Sequence, residues 1–236
     1  MTRRRWIADT WDTSTATLTG DQAAHLARVL RAEAGMVFDV VAGGHLYRAE
    51  ITSLQNHQVC FALHEELSAA AALPVTLLLS VFKFDRMEWA IEKATELGVA
   101  RIVPVLARRT EKHLAQSASR RVERWRRIVR EAAQQSRRSD VPEITGPMPL
   151  KIALEQQTAT LKILLAETEQ EHSLRNALQE NHLGEVALAI GPEGGWTPEE
   201  LALFAQHQWQ SVTLGPRILR AETATIAAVA VISALL

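Results

Sequence analysis

VALAIGPEGGWTPEELALFAQHQWQSVTLGPRILRAETA, residues Val186 to Ala224, holds two short apolar strands, Val186 to Ile190 and Ser211 to Leu214. Each breaks directly into a Gly-Pro turn, and two such turns side by side make a pocket. In the first, Gly191, Gly194 and Gly195 permit backbone angles closed to other residues and let a ligand approach the main chain, while Pro192 stiffens the loop. A helix follows. Thr197 suits its N-cap, Pro198 its first position, and Glu200 stands where a capping box needs an acid. The second turn, Leu214 to Arg220, leads into an uncharged run from Ala224 to Leu236 that is too short to span a bilayer and reads as a buried helix. Neither turn carries a GxxxxGKS/T or a helix-opening GxGxxG, so a phosphate cradle is the weaker functional reading.

Outward from this stretch, strand and helix signals alternate from Leu73 on, as in a parallel sheet covered by helices. Val75 to Phe82, Arg101 to Val105, Leu161 to Ala166, Val186 to Ile190 and Val212 to Leu214 are the strands. The helices are Asp85 to Leu97, closed by Gly98; Ser119 to Arg137; and spans near Ser173 to Gln179, Glu199 to Gln208 and Glu222 to Leu236. In Ser119 to Arg137 the apolar face is Val122, Trp125, Ile128, Val129 and Ala132. Ligands of open α/β sheets sit at the carboxyl edge, where the loops after the last three strands can meet.

Residues before this region form a β-rich module. Trp6 with its neighbours, Thr15 to Leu18, Met36 to Val41, His45 to Leu54 and Gln58 to Leu67 read as strands, with turns at Gly43-Gly44 and Asn56-His57. One helix interrupts them, Gln22 to Ala32, with Asp21 as its expected cap and Gly35 past its end. Trp6 and Trp11 read as packing residues rather than base-stacking ones. The boundary falls in the linker Ser68 to Pro74, dividing the chain into 1–70 and 73–236.

Composition bounds the function. A chain of 236 residues, 47% apolar, buries roughly 70–75% of its unfolded surface. Cys60 is alone, so no internal disulfide forms; it reads as a buried thiol, and no Cys/His cluster has zinc spacing, so no metal is expected. MTRRRWIADT lacks the apolar segment of a signal peptide, which makes a cytoplasmic protein with no membrane role the expectation. The net charge of −1 excludes a wholly basic nucleic-acid binder, yet Arg101 to Arg138 carries about twelve Lys/Arg against three Glu. That local excess matches a phosphate backbone.

IGPEGGWTPEE followed by LGPRILRAETA resembles the C-terminal signature of the RsmE family, SPOUT-superfamily methyltransferases that act on N3 of a uridine in small-subunit ribosomal RNA. KFDRMEWAIEKATELGVARIVPV (Lys83 to Val105), RWRRIVREAAQQSRRSDVPEI (Arg124 to Ile144) and HLARVLRAEAG (His25 to Gly35) carry the same resemblance along nearly the whole chain. It implies a PUA-like RNA-binding β-barrel over 1–70 and a SPOUT α/β domain over 73–236, with a parallel sheet, covering helices and a deep trefoil knot. It implies S-adenosyl-L-methionine as cofactor, a homodimer, and 16S rRNA of the small ribosomal subunit as partner.

By the same resemblance Glu167, Ile190, Gly191, Gly194, Leu214, Gly215, Leu219 and Ala224 form the cofactor loops, with Pro192 and Pro216 holding their shape. Candidate RNA contacts are Arg3, Arg4, Arg28, Arg31, Arg86, Arg108, Arg109, Arg137 and Arg138. Uridine N3 must lose its proton before it can attack, which calls for a base or for cations facing the ring oxygens. Arg220 is assigned to the uridine anion and Glu222 to orienting it or accepting the proton; a salt-bridged helix terminus is the competing reading of both. Two other classes stay open. A noncatalytic RNA-binding protein would not bind the sulfonium cofactor, and a phosphate-handling enzyme would prefer ATP or pyrophosphate at the Thr197 helix start. Within the methyltransferase reading, a different target nucleotide is also open.

Overall fold

The computed structural model describes residues 5–55, 57–180 and 184–236. Arg3, Arg4 and Asn56, named above, lie outside the described residues. The chain divides into two compact units, one of residues up to 71 together with 133–141, the other of 72–132 with 142–236.

The first unit is a six-stranded sheet in the order β1-β4-β5-β6-β3-β2, from β1 (Trp6–Ile7), β2 (Thr10–Trp11), β3 (Thr15–Thr19), β4 (Val37–Ala42), β5 (His45–Gln55) and β6 (Gln58–Leu67). All its pairs are antiparallel except β1 with β4. Alternating residues of these strands bury Leu18, Val40, Ala49, Ile51, Val59 and Phe61 around Trp6, in the period-2 pattern of a one-sided sheet. Trp6 is a core residue, as expected, but Trp11 is 54% exposed. Cys60 is partly exposed rather than buried.

The helix of this unit departs from expectation at both ends. α1 (Gly20–Ala24) takes Thr19 as N-cap, not Asp21, because Thr19 is held by Asp9, whose Oδ2 accepts from its backbone N–H at 2.7 Å. From His25 to Val29 the helix widens to a π-turn, and Arg31, with φ of 50°, ends it before Ala32. His25 packs beside Trp6, ring centroids 6.0 Å apart.

The second unit is a seven-stranded parallel sheet in the order β10-β8-β7-β12-β11-β13, with β9 beside β8. Its strands are β7 (Leu73–Ser80), β8 (Val99–Leu106), β9 (Glu143–Ile144), β10 (Met148–Pro149), β11 (Leu161–Leu165), β12 (Val186–Ile190) and β13 (Gln210–Val212). Its helices are α2 (Phe84–Glu96), α3 (Lys112–Ser117), α4 (Val122–Gln135, entered through a 3-10 turn at Ala118–Arg121), α5 (Leu150–Glu155), α6 (Leu174–Glu180), α7 (Pro198–Gln206) and α8 (Ala221–Leu235). The apolar runs predict fully buried strands, and β12 is buried at all five positions. On one sheet face Leu77, Leu79, Leu188 and Ile163 pack with Met87 and Ile91 of α2 and Ala228, Val229 and Ile232 of α8. On the other, Leu78, Val103, Ala187 and Ala189 meet Leu154, Trp196, Phe204 and Trp209. Register aligns Ile190 with Leu79, Leu164 with Ala189, and Leu165 with Val212. The carboxyl ends of these strands therefore reach one edge together, and the loops after them share it.

Candidate active site

At that edge the second unit encloses a cavity of about 1050 Å³. Its walls are the loops that follow β11, β12 and β13, with the start of α2 and the loop after β8. Of the residues expected to hold a cofactor, Glu167, Ile190, Gly191, Pro192, Leu214, Gly215, Leu219 and Ala224 line it, and Pro216 joins them. Gly194 does not. It backs onto the Arg109 side chain, which a Cβ at that position would meet at 3.3 Å.

The first turn is held by short-range and long-range bonds. Gly195, at φ of 69°, lets its N–H reach back to the Pro192 carbonyl at 2.8 Å. Thr197 accepts from the Glu200 N–H while Glu200 Oε2 accepts from the Thr197 N–H at 2.9 Å, the expected capping box. Glu200 also reaches out of its helix: its Oε1 accepts from the Arg108 N–H at 2.7 Å. Arg109 donates to the Gly194 carbonyl at 2.5 Å and Arg86 to Glu193 Oε1 at 3.3 Å. Two guanidinium groups thus grip adjacent residues of one loop. The second turn is simpler. Gly215 takes φ of 117°, and the Thr213 hydroxyl accepts from its N–H at 3.1 Å.

The remaining candidates scatter. Arg220 lies on the cavity wall and is exposed. Glu222 does not line the cavity; it is 5% exposed, with Oε1 3.8 Å from Arg86 Nε. Arg86 and Arg109 line the cavity with partners inside the protein, whereas Arg108 is exposed. In the first unit Arg28 and Arg31 are exposed, and Arg137 sits at φ of 60°. Arg138 is 9% exposed and bound to Asp140 through Nε and Nη2, a place no phosphate reaches.

Sequence reasoning missed Glu169 and Thr168 of the loop after β11, and Lys83 at the start of α2, all on the cavity wall. The Glu171 and His172 N–H groups each donate to Glu169 Oε1 at 2.9 Å. Those backbone donors, His172 first, hold its carboxyl below the usual range, so it presents a negative charge to the cavity. Glu-x-Glu-His is a local turn signature that the residues carried. Among the described residues no group of three or more His, Cys, Asp or Glu could hold a metal, and no helix is long and apolar enough to cross a membrane.

Comparison with known proteins places the two units separately. The model of an RNA methyltransferase domain matches residues 69–233, and that of an RNA methyltransferase PUA domain matches 18–63. The chain is 37% identical over 227 residues to the ribosomal RNA small subunit methyltransferase E of Synechocystis, covering 94% of this chain and 74% of that protein. With its namesake from Bacillus subtilis it shares 30% over 229 residues, 93% and 90% of the two chains. The crystal structure of ribosomal RNA small subunit methyltransferase E from Neisseria gonorrhoeae bound to S-adenosyl methionine superposes with a TM-score of 0.85 at 30% identity, over 99% and 98% of the two chains. A parallel sheet whose edge loops enclose one cavity, joined to a PUA-type sheet, with these likenesses over nearly full length, makes the chain a member of the RsmE family.

Proposed function

We propose that this chain transfers a methyl group from S-adenosyl-L-methionine to N3 of a uridine in 16S ribosomal RNA of the small subunit. The observation that carries the reading is the meeting of both Gly-Pro turns in a single cavity whose lining fits such a donor. Ile190, Leu214 and Leu219 supply apolar wall for an adenine, and the turns supply exposed backbone groups. Glu167 and Glu169, both on the cavity wall, offer negative charge to a sulfonium and an ammonium. When bound, the cofactor supplies an electrophilic methyl group. The protein's part is alignment: the gripped loop and the Gly215 turn, closed by the Thr213 hydroxyl, fix the walls before anything binds, so little ordering is left to be lost on binding. A relative of this family has been crystallised with the same cofactor.

Arg220, exposed on the wall, is assigned to the acceptor nucleotide. Glu222 is not on the wall, so it does not take the proton directly. In the second unit the exposed arginines Arg108, Arg124, Arg126 and Arg127 hold RNA backbone beside an extruded uridine, and in the first Arg28 and Arg31 are assigned to RNA backbone as well. The same reading gives 1–70 the role of RNA-binding barrel and 73–236 that of catalytic domain. It includes a trefoil knot in the last part of the chain, a homodimer and a cytoplasmic site of action.

Small subunits lacking the methyl group, incubated with the protein and S-adenosyl-L-methionine, then digested with nuclease and analysed by mass spectrometry, test the reading. The expected product is one 3-methyluridine. A methyl group on another atom, or none, overturns it, and calorimetric titration separates a protein that binds the cofactor from one that does not.

A further inference from the structure

We propose that Arg86 is a catalytic residue that stabilises the acceptor base as its anion, and that Glu193 and Glu222 are positioning residues acting through it. The proposal rests on the methyltransferase reading above. It starts from a buried carboxylate. Glu222 has a side chain 6% exposed, and its Oε2 finds no hydrogen-bond partner among the described residues. Burying such a group is unfavourable unless a charge beside it compensates. The compensating charge is Arg86, whose Nε stands 3.8 Å from Glu222 Oε1 and whose Nη1 donates to Glu193 Oε1 at 3.3 Å. Glu222 is behind the cavity wall; Arg86 is part of it. Whatever Glu222 does for a bound ligand it does by holding this guanidinium.

The held group suits the chemistry. Loss of the N3 proton spreads negative charge over N3 and the two flanking carbonyl oxygens of uracil. A planar guanidinium, hydrogen-bonded to Glu193 and standing beside the charge of Glu222 on a separate element, turns the N–H donors of its remaining nitrogen to that edge. Nη2 of Arg86 has no protein acceptor among the described residues and remains available to one. Arg109 is less suited, because its guanidinium is engaged by the Gly194 carbonyl. Lys83 and Arg220 share the wall, but no carboxylate fixes either among the described residues. The two carboxylates do a second thing. A lone arginine would repel the cationic methyl donor, and Glu193 and Glu222 offset that repulsion. In the transfer itself the N3 proton passes to bulk water, the N3 electron pair forms the new bond to carbon, and the broken carbon–sulfur pair stays on sulfur.

The test compares the parent with Arg86→Ala, Arg86→Lys and Glu222→Gln in the full chain, on unmethylated small subunits. Removing one preorganised donor from a developing anion costs about 10²–10³ in kcat, the loss expected for Arg86→Ala, with cofactor affinity by calorimetry equal to the parent's or tighter, since a cation beside the cationic donor has gone. Lysine keeps the charge but not the fork, and Glu222→Gln loosens it, so both fall between. The decisive readout is the pH profile of kcat/KM. Without the cation the acceptor ionises at higher pH, so the rising limb for Arg86→Ala moves up by about one unit or more. Lys83, Arg109, Glu111, Glu167, Glu169, Glu193, Arg217 and Arg220 face the same cavity and Glu222 stands behind Arg86, so the shift must persist when Glu193 or Glu222 is replaced by Gln in the Arg86→Ala background, which assigns it to the acceptor. Added guanidinium ion should restore part of the activity of Arg86→Ala. A loss of rate with an unshifted profile, or a loss of cofactor affinity equal to the loss of rate, overturns the proposal; so does full activity in Arg86→Lys and Glu222→Gln should the alanine variant not fold. A parent that neither binds the cofactor nor methylates overturns the parent reading instead.

Discussion

A Cβ placed on Gly191 would come within 3.3 Å of the Trp196 indole. Gly191 is not in the left-handed region, so the indole, rather than backbone angle, demands a glycine here. Trp196 has little room to give: its Nε1 donates to the Leu165 carbonyl at 3.1 Å, and its ring meets Phe204 edge-on at 4.8 Å. Gly191→Val should therefore cost about 1–3 kcal/mol by overpacking and displace the loop that walls the cavity. Urea denaturation should show the loss of stability, and calorimetry a loss of cofactor binding. Native stability with intact binding would mean the indole moves freely.

Glu200 offers a second handle on the same loop. Each oxygen of this buried carboxylate accepts a backbone N–H, from Thr197 on its own helix and from Arg108 after β8. Glu200→Ala strands both donors and removes the acid half of the capping box, leaving the Thr197 cap, a loss of about 2–4 kcal/mol. Glu200→Gln keeps one acceptor and should lie between. Chemical denaturation of the three proteins orders them, and equal midpoints would refute the bridging role.

Basic residues of the 101–138 stretch divide into two kinds. Arg124, Arg126 and Arg127 are exposed; Arg126 and Arg127 pair with the exposed Glu123 and Glu131, and Arg124 with Glu88, which is largely buried but also has Arg121 at 3.6 Å. Replacing all three by alanine should change stability by about 0.5 kcal/mol or less per site, and flatten the salt dependence of RNA binding by about 0.7 in slope for each phosphate no longer neutralised. Arg138→Ala is the opposite case: it removes a buried guanidinium from its packing and leaves the half-buried Asp140 without that partner, and should cost about 1–2 kcal/mol. Filter binding across a salt series and thermal melting separate the two outcomes.

Acid should find Asp12. The Ser14 N–H, then the Thr15 hydroxyl and N–H, donate to its carboxylate and lower its pKa from 3.8 to about 2. A carboxyl depressed by folding contributes stability above its unfolded pKa and loses it as pH falls through the folded one. Asp12→Asn should therefore melt with a shallower pH dependence than the parent between about pH 4 and pH 2. Parallel curves in that window would remove Asp12 from the acid response.

Much of the fold was legible because its signals are local. Thr197-Pro198 with Glu200 names a helix start, and Gly-Pro after an apolar run names a strand end, whatever the rest of the chain does. The strand runs of the second unit, apolar on both faces, name a covered parallel sheet. What was not legible depends on distance. Arg86 and Glu193 are 107 positions apart, Arg109 and Gly194 85, so nothing near either arginine marks it as a loop clamp rather than a phosphate contact. Burial of Glu222 follows from α2 packing on α8, which periodicity does not reveal. Short helices such as α3 and α5 show too little period to be seen, and the π-turn at His25 arises where the helix must end against Arg31. Arg138 was the avoidable miss, since an aspartate two positions on was visible.

β12 lies between β7 and β11 with every residue buried, and the Gly191 turn springs directly from its end. Its amides are paired on both sides, so they should exchange with deuterium only when the whole unit opens, the slowest class in the molecule. The ligand-facing loop is therefore anchored in the least yielding segment of the chain, and deuterium uptake should rise abruptly, within a few residues, from Ile190 into the turn.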